Sequence, residues 1–177
     1  MEQRTFSCRK DGDDQMYGYD REKAVAYAHR WAYSRNPAYS DFSDMGGDCT
    51  NFVSQCLRAG GASMNYTPTF GWYYASLNNR APAWTGVQPF YRFITTNDKT
   101  GPYGWPAELP QLQIGDVMQL SFDNGATFGH TALIVSVGES PTPDNVLVAT
   151  HSEDADNRAV SHWYYALPRF LHIEGSR

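Results

Sequence analysis

Gly46-Gly47-Asp48-Cys49-Thr50-Asn51-Phe52-Val53-Ser54-Gln55-Cys56-Leu57 is the stretch on which the fold turns. From Cys49 onward the apolar residues are Cys49, Phe52, Val53, Cys56 and Leu57, spaced i, i+3, i+4, i+7 and i+8. That spacing lines one face of a helix. Gly60-Gly61 then ends the pattern, as glycines commonly end helices. Cys49 therefore stands at the first position of an amphipathic helix, directly after a flexible turn. A thiol placed there lies beside unpaired backbone N–H groups and the positive end of the helix dipole. Both favour the thiolate, which is the nucleophilic form. Cys56, two turns further on, has no such surroundings and reads as packing.

Upstream, Ala24, Tyr27, Ala28, Trp31 and Ala32 make a second helical stripe between Asp20, a suitable N-cap, and Asn36-Pro37. From Ala62 to Pro110 the chain is dense in Gly, Pro, Asn and aromatics, and no period holds. Phe70–Tyr74 and Val87–Thr95 are short helical or extended pieces there. After Pro110 the pattern becomes that of strands: Asp116–Phe122, the β-branched run His130–Val137, Asn145–His151 and Arg169–Ile173. Asn124-Gly125 marks the first two as a hairpin. Helices followed by an antiparallel meander give an α+β class. One domain is expected at 19–174, with 1–18 a flexible segment and 175–177 set aside as a cloning remnant.

The three cysteines form no even disulfide framework. Cys49 and Cys56 are separated by roughly 10 Å of helix rise, too far for a disulfide. Only Cys8 could pair with either. A net charge of −5 and the lack of a basic run argue against nucleic acid as a partner. No apolar stretch approaches the roughly 20 residues of a membrane span, and Met1–Asp14 lacks the apolar core of a signal peptide.

A nucleophilic cysteine needs a base, near in space though distant in sequence. Among five histidines, His130 is the best placed, at the start of a strong strand behind Gly129. His29 and His172 read as structural or exposed, and His162 sits in an unplaced segment. His151 closes the next strand, so antiparallel pairing would set it beside His130, where it could fix the tautomer and orientation of that ring. A metal site drawn from His130, His151, His162, Asp154 and Asp156 finds no HExxH or paired CxxC motif to support it, and Asp154–Arg158 reads as a solvated turn. No cofactor is called for.

With these residues in place, the chain resembles the amidase-like branch of the papain-like cysteine peptidase superfamily, related to NlpC-type and CHAP peptidoglycan hydrolases. Tyr19–Ala28 through Asn36-Pro37-Ala38-Tyr39 is similar to the leading helix of that family, and Gly47–Leu57 to its nucleophile helix. Leu112–Val117 with Gly129–Val135 resembles its Gly-Asp-Val and histidine strands, and Ala149-Thr150-His151-Ser152 the segment of its third polar residue. The resemblance implies a permuted papain-like (NlpC-like) fold, with N-terminal helices packed on an antiparallel sheet that supplies the histidine. It implies Cys49 as nucleophile, His130 as base and then acid, and His151 as the orienting residue. Asp48 and Thr50, with Asn51, fall in the substrate-binding set. Thr50-Asn51 replaces the common Ser-Gly of NlpC-type relatives. The implied activity is hydrolysis of an amide bond in bacterial peptidoglycan or a peptide, outside the cytoplasm. A non-catalytic wall- or protein-binding module, and a thiol acyltransferase or deamidase, stand as alternatives.

Overall fold

The computed structural model of the protein describes residues 18–164 and 166–177. Apart from Gly18, the segment expected to be flexible at 1–18 lies outside the described residues, as does Cys8. Helix α1 (Arg21–Trp31) begins at Asp20, whose carboxylate accepts from the Lys23 N–H at 2.9 Å. Helix α2 (Cys49–Ala59) follows the apolar stripe and stops at Gly60. A side chain would not fit at Gly60, where a β-carbon would fall 2.6 Å from the Tyr19 ring. The end of α2 abuts the start of α1, and Gly60 O accepts from the Asp20 N–H at 2.8 Å.

Every residue of α2 from Cys49 to Leu57 is buried, so each polar side chain needs an internal partner. Thr50 bonds Thr131, and Asn51 accepts from Trp84 Nε1–H. Ser54 accepts from Trp72 Nε1–H and donates to Trp84 O, while Gln55 accepts from the Tyr27 hydroxyl. The middle of the chain supplies both tryptophans. It forms a short hairpin, β1 (Tyr74–Ser76) and β2 (Asn79–Arg80), then α3 (Pro82–Thr85) and α4 (Val87–Thr96). Trp72 and Trp84 are fully buried, so part of the aromatic richness of this stretch goes into the packing around α2. A separate cavity of about 350 Å³, walled by Phe70, Pro82, Ala83, Pro89 and Phe93, opens in the same region; Cys49 does not line it.

Strands β3 (Pro102–Ala107), β4 (Val117–Ser121), β5 (His130–Val137), β6 (Val146–Thr150), β7 (Ala155–Ala159) and β8 (Leu167–Ser176) form one sheet. Its order is β3-β8-β4-β5-β6-β7, with every neighbouring pair antiparallel. The class is α+β, and β4 to β7 is a meander. Three features differ from expectation. First, β8 lies between β3 and β4 and does not extend the meander. Second, the stretch read as a solvated turn at 154–158 is mostly β7, an edge strand whose backbone pairs with β6 while its middle residues stay polar. Third, Gly175 and Ser176, set aside as a remnant, pair with Tyr103 and Pro102 at the end of β8. Ser176 Oγ also accepts from the Ser63 N–H at 2.9 Å.

Helices cover one face of the sheet, where Val117, Leu133, Val135, Ala149, Leu171 and Ile173 pack with α1, α2 and α4. On the other face Met118, Leu120, Ala132, Ile134, Val146 and Val148 pack beneath Leu112, Val160 and Trp163. Alternation along β5 thus sends odd residues to the helices and even residues to the second cluster. Among the described residues, no helix is long and apolar enough to cross a membrane.

Candidate active site

Gly46 (φ 97°) and Gly47 (φ 110°) are both left-handed and swing the chain into α2. Asp48 occupies the N-cap position but does not cap the helix. Its Oδ1 accepts from the Phe42 N–H and from Asn51 Nδ2, both at 2.8 Å. Its Oδ2 lies 2.5 Å from His151 Nδ1 and 3.7 Å from Arg35 Nε. The helix start is left without a carboxylate of its own, so its N–H groups remain available to the thiol. The backbone N–H groups of Thr131, Thr50 and Cys49, with the Thr50 hydroxyl, all stabilise the thiolate. Burial acts the other way and prevails. Cys49 is 6% exposed, and its thiol is held above the usual value of 9.0. The donors expected from sequence are present, but the resting group is a neutral thiol.

His130 opens β5, and Thr150 Oγ1 lies 3.1 Å from its Nε2. The ring lies tilted against Trp163, with centroids 5.1 Å apart, and Arg158 stands 3.9 Å over the Trp163 ring. Burial lowers the imidazole from 6.5 to about 4; Glu153 opposes the shift and Arg158 adds to it. At neutral pH this ring is an uncharged base. Among the described residues no hydrogen bond joins it to Cys49. What connects them is the peptide between His130 and Thr131, whose N–H acts on the thiol.

His151 does not stand beside the His130 ring. Strands β5 and β6 pair Leu133 with Ala149, and the same register continued by two residues sets Thr131 opposite His151. Directly opposed residues share a face, so His151 falls on the helix side with Thr131, one residue out of step with His130. Its Nδ1 meets Asp48, its Nε2 lies 2.8 Å from Trp31 O, and its ring stacks on Phe52 at 4.1 Å. Thr150 occupies the place beside His130 that the sequence suggested for His151. Ser152 Oγ accepts from the Asp48 N–H at 2.9 Å. Ser152 (φ 60°) and Glu153 (φ 78°) are left-handed, which bends the chain sharply after β6. Three successive residues, Thr150, His151 and Ser152, therefore all reach the site. The polar run Thr-His-Ser closing an apolar strand was the signal for Thr150 and Ser152.

Asp48, Thr50 and Asn51, expected to bind substrate, are fully buried and turned inward. Thr50 Oγ1 lies 2.9 Å from Thr131 Oγ1, and Asn51 Nδ2 also donates to Ser40 O at 3.0 Å. The residues weighed for a metal are dispersed. Asp154 pairs with Arg35 at 2.9 Å and Asp156 with His29 at 2.8 Å, while His162 ends a 3-10 turn. Among the described residues no three His, Cys, Asp or Glu side chains are grouped to hold a metal ion. Cys56 is a free, fully buried thiol in the core.

The chain is similar to the Bacillus subtilis (strain 168) protein named "Uncharacterized protein YhbB", with 34% identity over 152 residues. That match covers 84% of this chain and 45% of the relative. "Uncharacterized protein YjcM" of the same organism is 28% identical over 126 residues, covering 67% of this chain and 28% of that protein. The chain thus spans less than half the length of either relative. No solved structure matches it. The family described as "Putative amidase domain" matches residues 18–171, the site included, and the chain belongs to that amidase family.

Proposed function

We propose that the protein is a cysteine-dependent amide hydrolase of the papain-like type, acting on a peptide amide of bacterial peptidoglycan. The observation that carries this reading is the Cys49 thiol at an uncapped helix N-terminus, ringed by three backbone N–H donors, in a chain of an amidase family. Membership supports amide hydrolysis. The finer terms rest on Cys49, His130 and the resemblance of their motifs to NlpC-type hydrolases.

Because thiol and imidazole are both neutral at rest, the reaction begins by general-base catalysis. Substrate binding brings His130 within reach of the thiol, a contact that commonly tightens only in the complex. His130 takes the Sγ proton as sulfur adds to the carbonyl carbon. The N–H groups at the start of α2 meet the oxyanion that develops. Collapse breaks the C–N bond, and the imidazolium protonates the departing amine. Water, deprotonated by His130, then cleaves the thioester and frees the acid and the thiol.

Mass spectrometry of peptidoglycan digests, wild type against Cys49→Ala, tests the reading. The wild type releases new amine and carboxyl ends, and the variant releases none while keeping its circular dichroism. A fully active variant overturns the assignment. One observation favours a binding module instead, namely a nearly inaccessible Cys49 with no bond to His130. Cleavage by the wild type excludes that alternative.

A further inference from the structure

We propose that Thr150 is the positioning residue of the site: its hydroxyl fixes His130 as the Nε2–H tautomer and leaves Nδ1 as the basic nitrogen. The proposal rests on the reading of Cys49 and His130 as the reacting pair, and it gives Thr150 the task the sequence suggested for His151.

Thr150 is fully buried, and its Oγ1 has three polar neighbours. Thr131 O and His151 O lie at 2.9 Å each, and His130 Nε2 at 3.1 Å. Carbonyl oxygens can only accept, and a hydroxyl has one hydrogen. That hydrogen goes to a carbonyl, which leaves a lone pair of Oγ1 facing Nε2. Nε2 must then carry a hydrogen and donate it to Thr150. The opposite arrangement, with the hydroxyl donating to Nε2, would face its bare oxygen toward two carbonyl oxygens at 2.9 Å. In a buried site that repulsion goes unrelieved by solvent. The imidazolium also donates from Nε2, so the same bond serves both protonation states. The proton taken during catalysis therefore arrives at Nδ1 and leaves from Nδ1.

His151 cannot replace it. Both its ring nitrogens are already engaged, Nδ1 by Asp48 Oδ2 and Nε2 by Trp31 O, so neither is turned toward His130. Register gives the same answer, because Thr150 shares a sheet face with His130 whereas His151 shares one with Thr131.

Nitrogen-15 NMR of the histidine side chains in the full chain tests this without a substrate. The wild type should show His130 with a hydrogen on Nε2 and a bare Nδ1. Thr150→Val keeps the branched shape and removes the hydroxyl; its His130 should become a mixture of tautomers. Thr150→Ser should restore the wild-type pattern, and His151→Asn should leave it in place. With peptidoglycan fragments as substrate, T150V should lose about tenfold or more in kcat with little change in KM, and T150S should regain most of it. A wild-type Nδ1–H ring overturns the proposal, as does a T150V protein whose tautomer or kcat is unchanged. Should T150V fail to fold, the wild-type spectrum still decides the tautomer. An active C49A protein would sink the proposed reaction through a different measurement.

Discussion

A thiol raised by burial and an imidazole lowered by burial leave both partners uncharged at neutral pH. Alkylation of Cys49 by iodoacetamide should therefore be slow at neutral pH and climb in the alkaline range, above the ordinary thiol value. Rapid, pH-independent alkylation across neutral pH would reveal a preformed ion pair instead. Burial of His130 also makes the fold sensitive to acid. The unfolded ring titrates near 6.5 and the folded one near 4, so between those values the unfolded state binds more protons. Stability falls as pH drops through that window, by about 3 kcal/mol when the loss is complete. His130→Gln should flatten this part of the curve, as read from urea midpoints at neutral pH and at pH about 4. An unchanged slope would show that the ring is not held neutral. The positions of Cys49 and His130 were legible because each sits at the first residue of an element with a clear period. The partner of His130 was not. One residue of register decides between Thr150 and His151, and strand alternation read from sequence does not fix register.

At the scale of elements, the start of α2 is held by one buried carboxylate. Asp48 joins the loop before the helix through the Phe42 N–H, the helix through Asn51, and the turn after β6 through His151. Asp48→Ala would strand these donors in the interior, and a loss of about 3 kcal/mol or more is expected by urea denaturation. A loss below about 1 kcal/mol would mean that other contacts set the helix. In the sheet, Gly104 sits at a register shift between β3 and β8, where a β-carbon would fall 1.9 Å from His172 O. Gly104→Ala should loosen β3, seen as faster amide exchange in Pro102–Ala107 than in β4. Both edge strands were hard to read. β3 has two prolines and a glycine in six residues, and β7 has polar residues between terminal alanines. Their pairing comes from backbone bonds, which leave little hydrophobic period behind.

The whole molecule is built around a sheet buried on both faces along its centre; all five residues of β4 are inaccessible or nearly so. Leu133 packs toward the helices and Ile134 toward the second cluster. Leu133→Ala and Ile134→Ala should each cost about 2 to 5 kcal/mol. Far-ultraviolet dichroism and tryptophan fluorescence should report one shared transition for each variant, because the strands couple the two layers. Separate midpoints would show that the layers unfold independently. The α+β class could be read from the change of period near Pro110. The insertion of β8 between β3 and β4 could not, since strand order is set by long-range pairing that leaves no local mark.

The uncapped start of α2 limits how this protein can be engineered. A routine route to higher melting temperature supplies bare helix ends with a side-chain acceptor. Here Asp48 is already the right residue type, turned aside by Phe42, Asn51 and His151. Any redesign that returns a carboxylate to the helix end would gain stability where the proposed reaction places its oxyanion. Thermostable variants should therefore be sought at α1, α4 or the edge strands, with residues 46–50 held fixed.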